Sequence, residues 1–253
     1  MQGQGHLRRL AYFGASLLFV FVFALPQIAR AQGKDHVGVV QRLQGHVSIG
    51  AAGSALGGMD ISLEDKLVTG AGARLQIRLT DDTQVTLGEN AEAVFTQYQF
   101  SPSISGDKGV VVLKVSKGAF LFTTGRISQL SDKRIEVKTA LADIASTGSE
   151  FWAGPTGRDL EGVAVFEGTV EVSNQKGTVM LSARGFTQPR VQSQTQGLGL
   201  RSRSSADPIG TTFGRNRGPS QPVTWPREQT DRAVDAVAFD SEIARNSILE
   251  QGK

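Results

Sequence analysis

Between residues 134 and 172 the chain alternates apolar and polar side chains with the period of a β-strand. Ile135 and Val137 flank Glu136, Val163 and Val165 flank Ala164, and Val170 and Val172 flank Glu171. A period of two sends successive side chains to opposite faces of a pleated ribbon, so this stretch is expected to fold with one face buried. It reads as four short strands, with the least regular alternation around Phe151 and Trp152. The turns expected between them are 146–149 (Ser-Thr-Gly-Ser) and 154–157 (Gly-Pro-Thr-Gly), residue types that tolerate tight backbone geometry.

The flanking sequence has the same character. Leu75, Ile77 and Leu79 share one parity, Asp81, Asp82 and Thr83 form a turn, and Val85 and Leu87 return on a matching parity, as in a hairpin. Residues 110–115 form a nearly continuous apolar strand, the pattern of burial on both faces. Glycine followed by apolar residues two and four positions later recurs at Gly45, Gly118, Gly168 and Gly177, consistent with turn glycines feeding half-buried strands. The expected fold class is all-β, a short-stranded solenoid-like or sandwich-like body. The absence of cysteine leaves packing alone to stabilise it, and a body of roughly 150 residues buries enough surface for that.

The ends differ from the body. Arg8 and Arg9 precede an apolar run over 10–25, Pro26 breaks it, and Ala29 and Ala31 present small residues to a signal peptidase. This is the order of a secretory signal peptide, 1–31, with cleavage expected after Ala31 and a periplasmic or secreted destination. Sixteen helical residues reach only about 24 Å, short of a hydrocarbon core of about 30 Å, so a membrane contact is expected only if this helix stays uncleaved. Residues 187–226 are rich in Arg, Ser, Gly and Gln and are expected to form a disordered linker. Thr230 and Asp231 are expected to cap a short amphipathic helix over 229–249, with Val234, Val237, Ala244 and Ile248 as its apolar stripe. That helix is expected to fold back on the β body.

Charge does not point to nucleic acid. Beyond residue 31 the chain carries 24 basic and 24 acidic side chains, and aromatic stacking partners are nearly absent from the basic tail. Side chains capable of chemistry are scattered. His36 and His46 lack a carboxylate frame of metal-ligand spacing, Ser146 and Ser149 lack a nucleophile elbow, and Gly70, Ala71 and Gly72 lack the rest of a dinucleotide loop. Asp81 and Asp82 read as hairpin-turn residues, and Glu161, Glu167 and Glu171 as solvent-facing strand positions. No catalytic, cofactor-binding or metal-ligating residue is assigned, no cofactor is expected, and the chain is not expected to be an enzyme.

Several segments in order resemble the FecR-type domain, the periplasmic module of the iron-dicitrate sensor and regulator family. They are 60–70 with its Asp60 and Thr69-Gly70, the 75–87 hairpin, Lys117-Gly118 with its strand, 138–151, 166–172 and 179–185, so the resemblance spans about 37–186. Two departures stand where the family commonly has glycine, Glu64 and Asp82, and Thr147-Gly148-Ser149 replaces an Arg-Gly-Thr. The resemblance implies a binding, sensing or scaffolding module of the bacterial cell envelope, with an envelope protein or polymer as partner. Its alternatives are a membrane-anchored signal-transduction subunit and an envelope-polymer binder using the arginine tail. Only nine residues precede the apolar run, so the family's cytoplasmic sigma-binding segment is not expected here.

Overall fold

A computed structural model describes residues 35–103, 106–157, 160–183 and 208–239. The strands, in chain order, are β1 (His36–Gln44), β2 (Val47–Ile49), β3 (Gly53–Ser54), β4 (Asp60–Ser62), β5 (Lys66–Thr69), β6 (Arg74–Leu79), β7 (Gln84–Leu87) and β8 (Glu92–Ser101). They continue as β9 (Lys108–Lys117), β10 (Phe120–Thr123), β11 (Asp132–Lys138), β12 (Asp143–Gly157), β13 (Leu160–Asn174), β14 (Gly177–Ser182), β15 (Ile209–Gly214) and β16 (Val223–Thr224). The α-helix among the described residues is α1 (Arg227–Asp235). The expected all-β class is observed as one curled 16-stranded sheet. The expected signal peptide, part of the expected linker and the far half of the expected helix lie outside the described residues.

The sheet is organised on the long β12–β13 hairpin, which belongs to two arms at once. The first half of β12 (143–146) pairs with β11, and its second half (150–153) pairs with β10. On the opposite side of the hairpin, the first half of β13 (160–165) pairs with β15 and its second half (169–174) with β14. One arm therefore runs β3-β2-β5-β8-β9-β11 into the ribbon and out to β14; the other runs β4-β1-β6-β7-β10 into it and out to β15 and β16. β9 and β11 are parallel, because β10 is spent on the other arm between them.

The ribbon corrects the expected four strands and their turns. Residues 146–149 and 154–157 lie inside the continuous β12, and register shifts between Ser146 and Ser149 and between Glu150 and Phe151 mark where the ribbon passes from one arm to the other. A bulge adds a residue to one strand and bends it without ending the ladder. The Ser-Thr-Gly-Ser composition that suggests a turn instead serves this bend: Ser146 Oγ and Ser149 Oγ are 2.6 Å apart in a buried pair, and Gly148 N–H donates to Ser146 Oγ at 3.1 Å.

The inner faces of both arms form one apolar core. Leu67, Phe95, Leu113 and Val137 come from the first arm; Ile77, Val85, Phe122 and Phe213 come from the second. Phe151, on the ribbon, stacks on Phe122 at 5.4 Å and meets Phe120 edge-on at 6.1 Å. The hairpin expected at 75–87 is present with Leu75 opposite Leu87 and Ile77 opposite Val85, all fully buried.

Residues 208–226 correct the linker expected there, because they form β15, β16 and the turns around them. Phe213 enters the main core, and Trp225, 1% exposed, packs on the outer face of the second arm. A few large anchors suffice to order a segment whose average composition is polar, because a buried indole or phenyl ring removes more apolar surface than several small residues. The helix also begins earlier than expected, at Arg227 after Pro226, and Thr230 Oγ1 donates to Pro226 O at 3.2 Å from within its first turns. Ala233 and Val237 are buried against Trp152 and Ala164 of the body, as expected for a helix folded back on it.

Candidate interaction surface

Residues considered for chemistry in the sequence do not converge. His36 Nδ1 lies 3.7 Å from Asp60 Oδ1 at an exposed edge, while His46 is exposed and its carbonyl accepts from Gly70 N–H at 2.9 Å. Gly72 N–H donates to Glu89 Oε2 at 2.8 Å, so the 70–72 glycines belong to a turn. Among the described residues no group of three His, Asp or Glu side chains could hold a metal ion. No helix of the described residues is long and apolar enough to cross a membrane.

Two acids are buried more than their sequence setting suggests. Glu161 shares parity with Val163 and Val165, which face the core, so it points inward at the ribbon's end and is not solvent-facing. Burial raises its pKa, opposed by the 2.6 Å hydrogen bond from Thr139 Oγ1. Asp81 is fully buried, and its carboxylate accepts from Thr83 Oγ1 at 2.6 Å, Tyr98 Oη at 3.0 Å and Ile127 N–H at 3.3 Å. Tyr98 stands on β8 of the first arm and Asp81 on the β6–β7 turn of the second, so this cluster bolts the arms together. Burial pushes the Tyr98 phenol well above its usual range. Arg126 closes the cluster from outside, with Nε 2.9 Å from Asp82 Oδ2 and its guanidinium 5.2 Å from the Phe100 ring centroid. A buried carboxylate with each of these partners has a structural role in joining the arms.

The two outer faces differ in what covers them. On the second arm the register aligns Arg42, Gln76, Thr86, Leu121, Trp152 and Ala164 in one row across six strands. Trp225 and α1 lie over this row, and Trp152 meets Trp225 edge-on at 5.8 Å. Arg74 ties the helix end down, donating to Asp235 O at 3.3 Å and Ala238 O at 3.2 Å, and the Arg42 guanidinium sits 4.3 Å over the Phe239 ring.

On the first arm the corresponding row is Lys66, Val94, Lys114 and Lys138 on β5, β8, β9 and β11. It is laced at both ends. Glu92 binds Lys66 Nζ at 3.0 Å and Lys117 Nζ at 2.6 Å, and those two ammonium groups, Lys117 first, hold its carboxyl below the usual range. Glu136 takes Arg134 in a two-pronged pair at 2.7 and 2.8 Å, which lowers its carboxyl likewise. Lys114, exposed in the middle of the row, makes no ion pair among the described residues. Val112 lies one row on, opposite Glu136. The result is a row of lysines bracketed by glutamates over Val94 and Val112, with no described element packed on it. Such a surface suits recognition by charge and shape. The sequence contains every one of these residues, but their alignment depends on strand order and register, above all on β9 and β11 being parallel neighbours.

The family model described as FecR protein matches residues 65–171. Two crystal structures of a chain from Parabacteroides distasonis ATCC 8503, provisionally described as an anti-sigma factor, resemble this chain with a TM-score of 0.44 and 16% identity. That likeness covers 66% of this chain and 62% of the other. No curated protein matches the chain. The matched residues include both laced ends of the open row and the whole Asp81 cluster, and the match supports a regulatory or signalling module.

Proposed function

With a FecR domain over residues 65–171 as its premise, we propose that this chain is an exported, non-enzymatic binding and sensing module of the bacterial cell envelope, whose partner surface is the open face of the first arm. The observation that carries the reading is the lysine row with Lys114 at its centre making no ion pair among the described residues, lying within the matched residues and left uncovered by the described chain. A cation so placed between laced pairs favours a partner with complementary acids, and charge on a rigid face sets encounter and register more than raw affinity. Export is supported by the leader pattern at 1–31.

Site-specific photocrosslinking in intact cells tests this. A photoreactive residue at Gln97, exposed on β8 opposite Val112, should capture one discrete partner, and Lys114→Glu with Lys138→Glu should abolish the capture. The same probe at Arg232, on the exposed side of α1, should capture nothing. Capture from Arg232 alone, or capture indifferent to the charge reversal, would count against the proposal. Sequencing the cellular protein should place its first residue at Gln32; a retained leader would overturn the export step.

A further inference from the structure

The covering of the second arm is assembled differently from the core beneath it. Its attachment strand, β16, has two residues, and α1 has nine with no side chain capping its first turn. Isolated helices of this length are not stable in water, so the segment takes its form only from the seat it occupies. That seat has a specific shape. A side-chain carbon at Gly210 would stand 2.0 Å from Trp225 Nε1, and one at Gly162 would stand 3.0 Å from the indole ring, so these two glycines make a flat bed for one indole.

The fit beyond the indole is incomplete. Trp152 Nε1 and Gln76 Oε1, both in the covered row, are buried without a hydrogen-bond partner. Buried polar groups without a protein partner oppose burial, and both become open to solvent when the cover lifts. A cavity of about 310 Å³ opens where the helix end meets the body, lined by Glu89, Asn90, Gly118, Ala119, Pro155 and Ala236. The grip at that end consists of Arg74 and Arg42 side chains on Asp235 O, Ala238 O and the Phe239 ring.

We infer that the outer face of the second arm is a docking groove and that residues 223–239 are its resident ligand, a latch that opens while the sheet stays folded. The groove fits an indole followed by a short helix with small apolar residues on one side, and the chain supplies that ligand itself in Trp225, Ala233, Ala236 and Val237. Opening exposes Trp152 and the 76–86 row as one continuous surface.

Two measurements on the full-length protein test this. In hydrogen exchange, the amides of 229–238 should exchange together and at least tenfold faster than those of Ile77, Phe122 and Phe151; exchange in step with that core overturns the latch. A fluorescent synthetic peptide of residues 221–239 should bind Trp225→Ala protein saturably and bind the wild-type chain at least tenfold more weakly, because the wild-type groove is occupied. A Trp225→Ala protein that keeps its β circular dichroism and ignores the peptide, or equal binding to both chains, overturns the groove. If Trp225→Ala loses its β signal, the exchange measurement alone decides.

Discussion

The two outer faces of one curled sheet receive opposite treatments. The face of the second arm carries Leu121, Trp152 and Ala164 beside the uncharged Gln76 and Thr86 and is covered by the chain's own Trp225 and α1. The face of the first arm carries lysines and glutamates over valines and is left open by the described chain. The difference teaches that sheet pairing alone does not decide what a face does. Apolar rows need a cover, since large uncovered apolar patches drive association, whereas laced charge rows remain solvated and available.

The largest expected effect lies on the covered face. Trp225→Ala should cost about 3 to 5 kcal/mol in denaturant unfolding, the usual loss for a buried tryptophan truncated to a methyl. A cost under about 1 kcal/mol would mean that the cover adds nothing to the sheet, and the contrast between faces would fail. Next comes the bolt that both arms share. Asp81→Ala strands the Thr83 hydroxyl proton and the Ile127 amide, while Tyr98 Oη keeps Thr80 Oγ1 at 2.6 Å, and should cost about 2 to 3 kcal/mol. Because the bolt joins the arms, hydrogen exchange should quicken on β6 and β8 alike; loosening of one arm alone would show that they are stabilised separately.

Glu64→Gly acts in the opposite direction. Glu64 sits at φ 63°, a conformation that costs a residue with a side chain about 1 kcal/mol relative to glycine, so the substitution should raise stability by up to that amount. Asp82 shares the geometry at φ 64° but also holds Arg126, so its replacement should gain less. Both positions are those where the family resemblance leads one to expect glycine, and the backbone gives the reason.

Smaller still is a pH effect at the ribbon. Burial raises the Glu161 pKa above its ordinary 4.5, so folding favours the protonated acid. Its stabilisation is complete below the unfolded value and is lost as pH rises through the folded one. Glu161→Gln should therefore flatten the stability profile just above pH 4.5 and leave the protein slightly more stable at neutral pH; an unchanged profile would mean that the carboxyl is better hydrated than its place suggests. Glu92→Gln on the open face should have the least effect, with melting nearly unchanged and sensitivity to salt reduced, because solvent already screens its two lysines.

What is legible in the sequence follows the range of the physics. The 75–87 hairpin depends on local parity and a tight turn, and it folds as its alternation suggests. The same local reading breaks the ribbon into short strands, since Ser-Thr-Gly-Ser has turn chemistry whether the chain reverses there or bends through a bulge. Order in 209–226 is hidden by averaging: Phe213 and Trp225 are single residues in polar surroundings, yet each meets a site prepared by strands far earlier in the chain. Glu161 is readable in principle, because it keeps step with Val163 and Val165. Asp81 is not, because Tyr98 and Ile127 reach it only after both arms have formed.

The shared ribbon also limits how this protein can be cut. The matched region ends at Glu171, before β13 itself ends at Asn174, and it omits β1, β14 and β15. A fragment trimmed to those boundaries would leave β6 and both halves of β13 with bare backbone edges, an invitation to intermolecular strand pairing and precipitation. A soluble minimal piece has to retain 36–44 and 177–225, so the working unit of this protein is larger than the stretch that the family model matches.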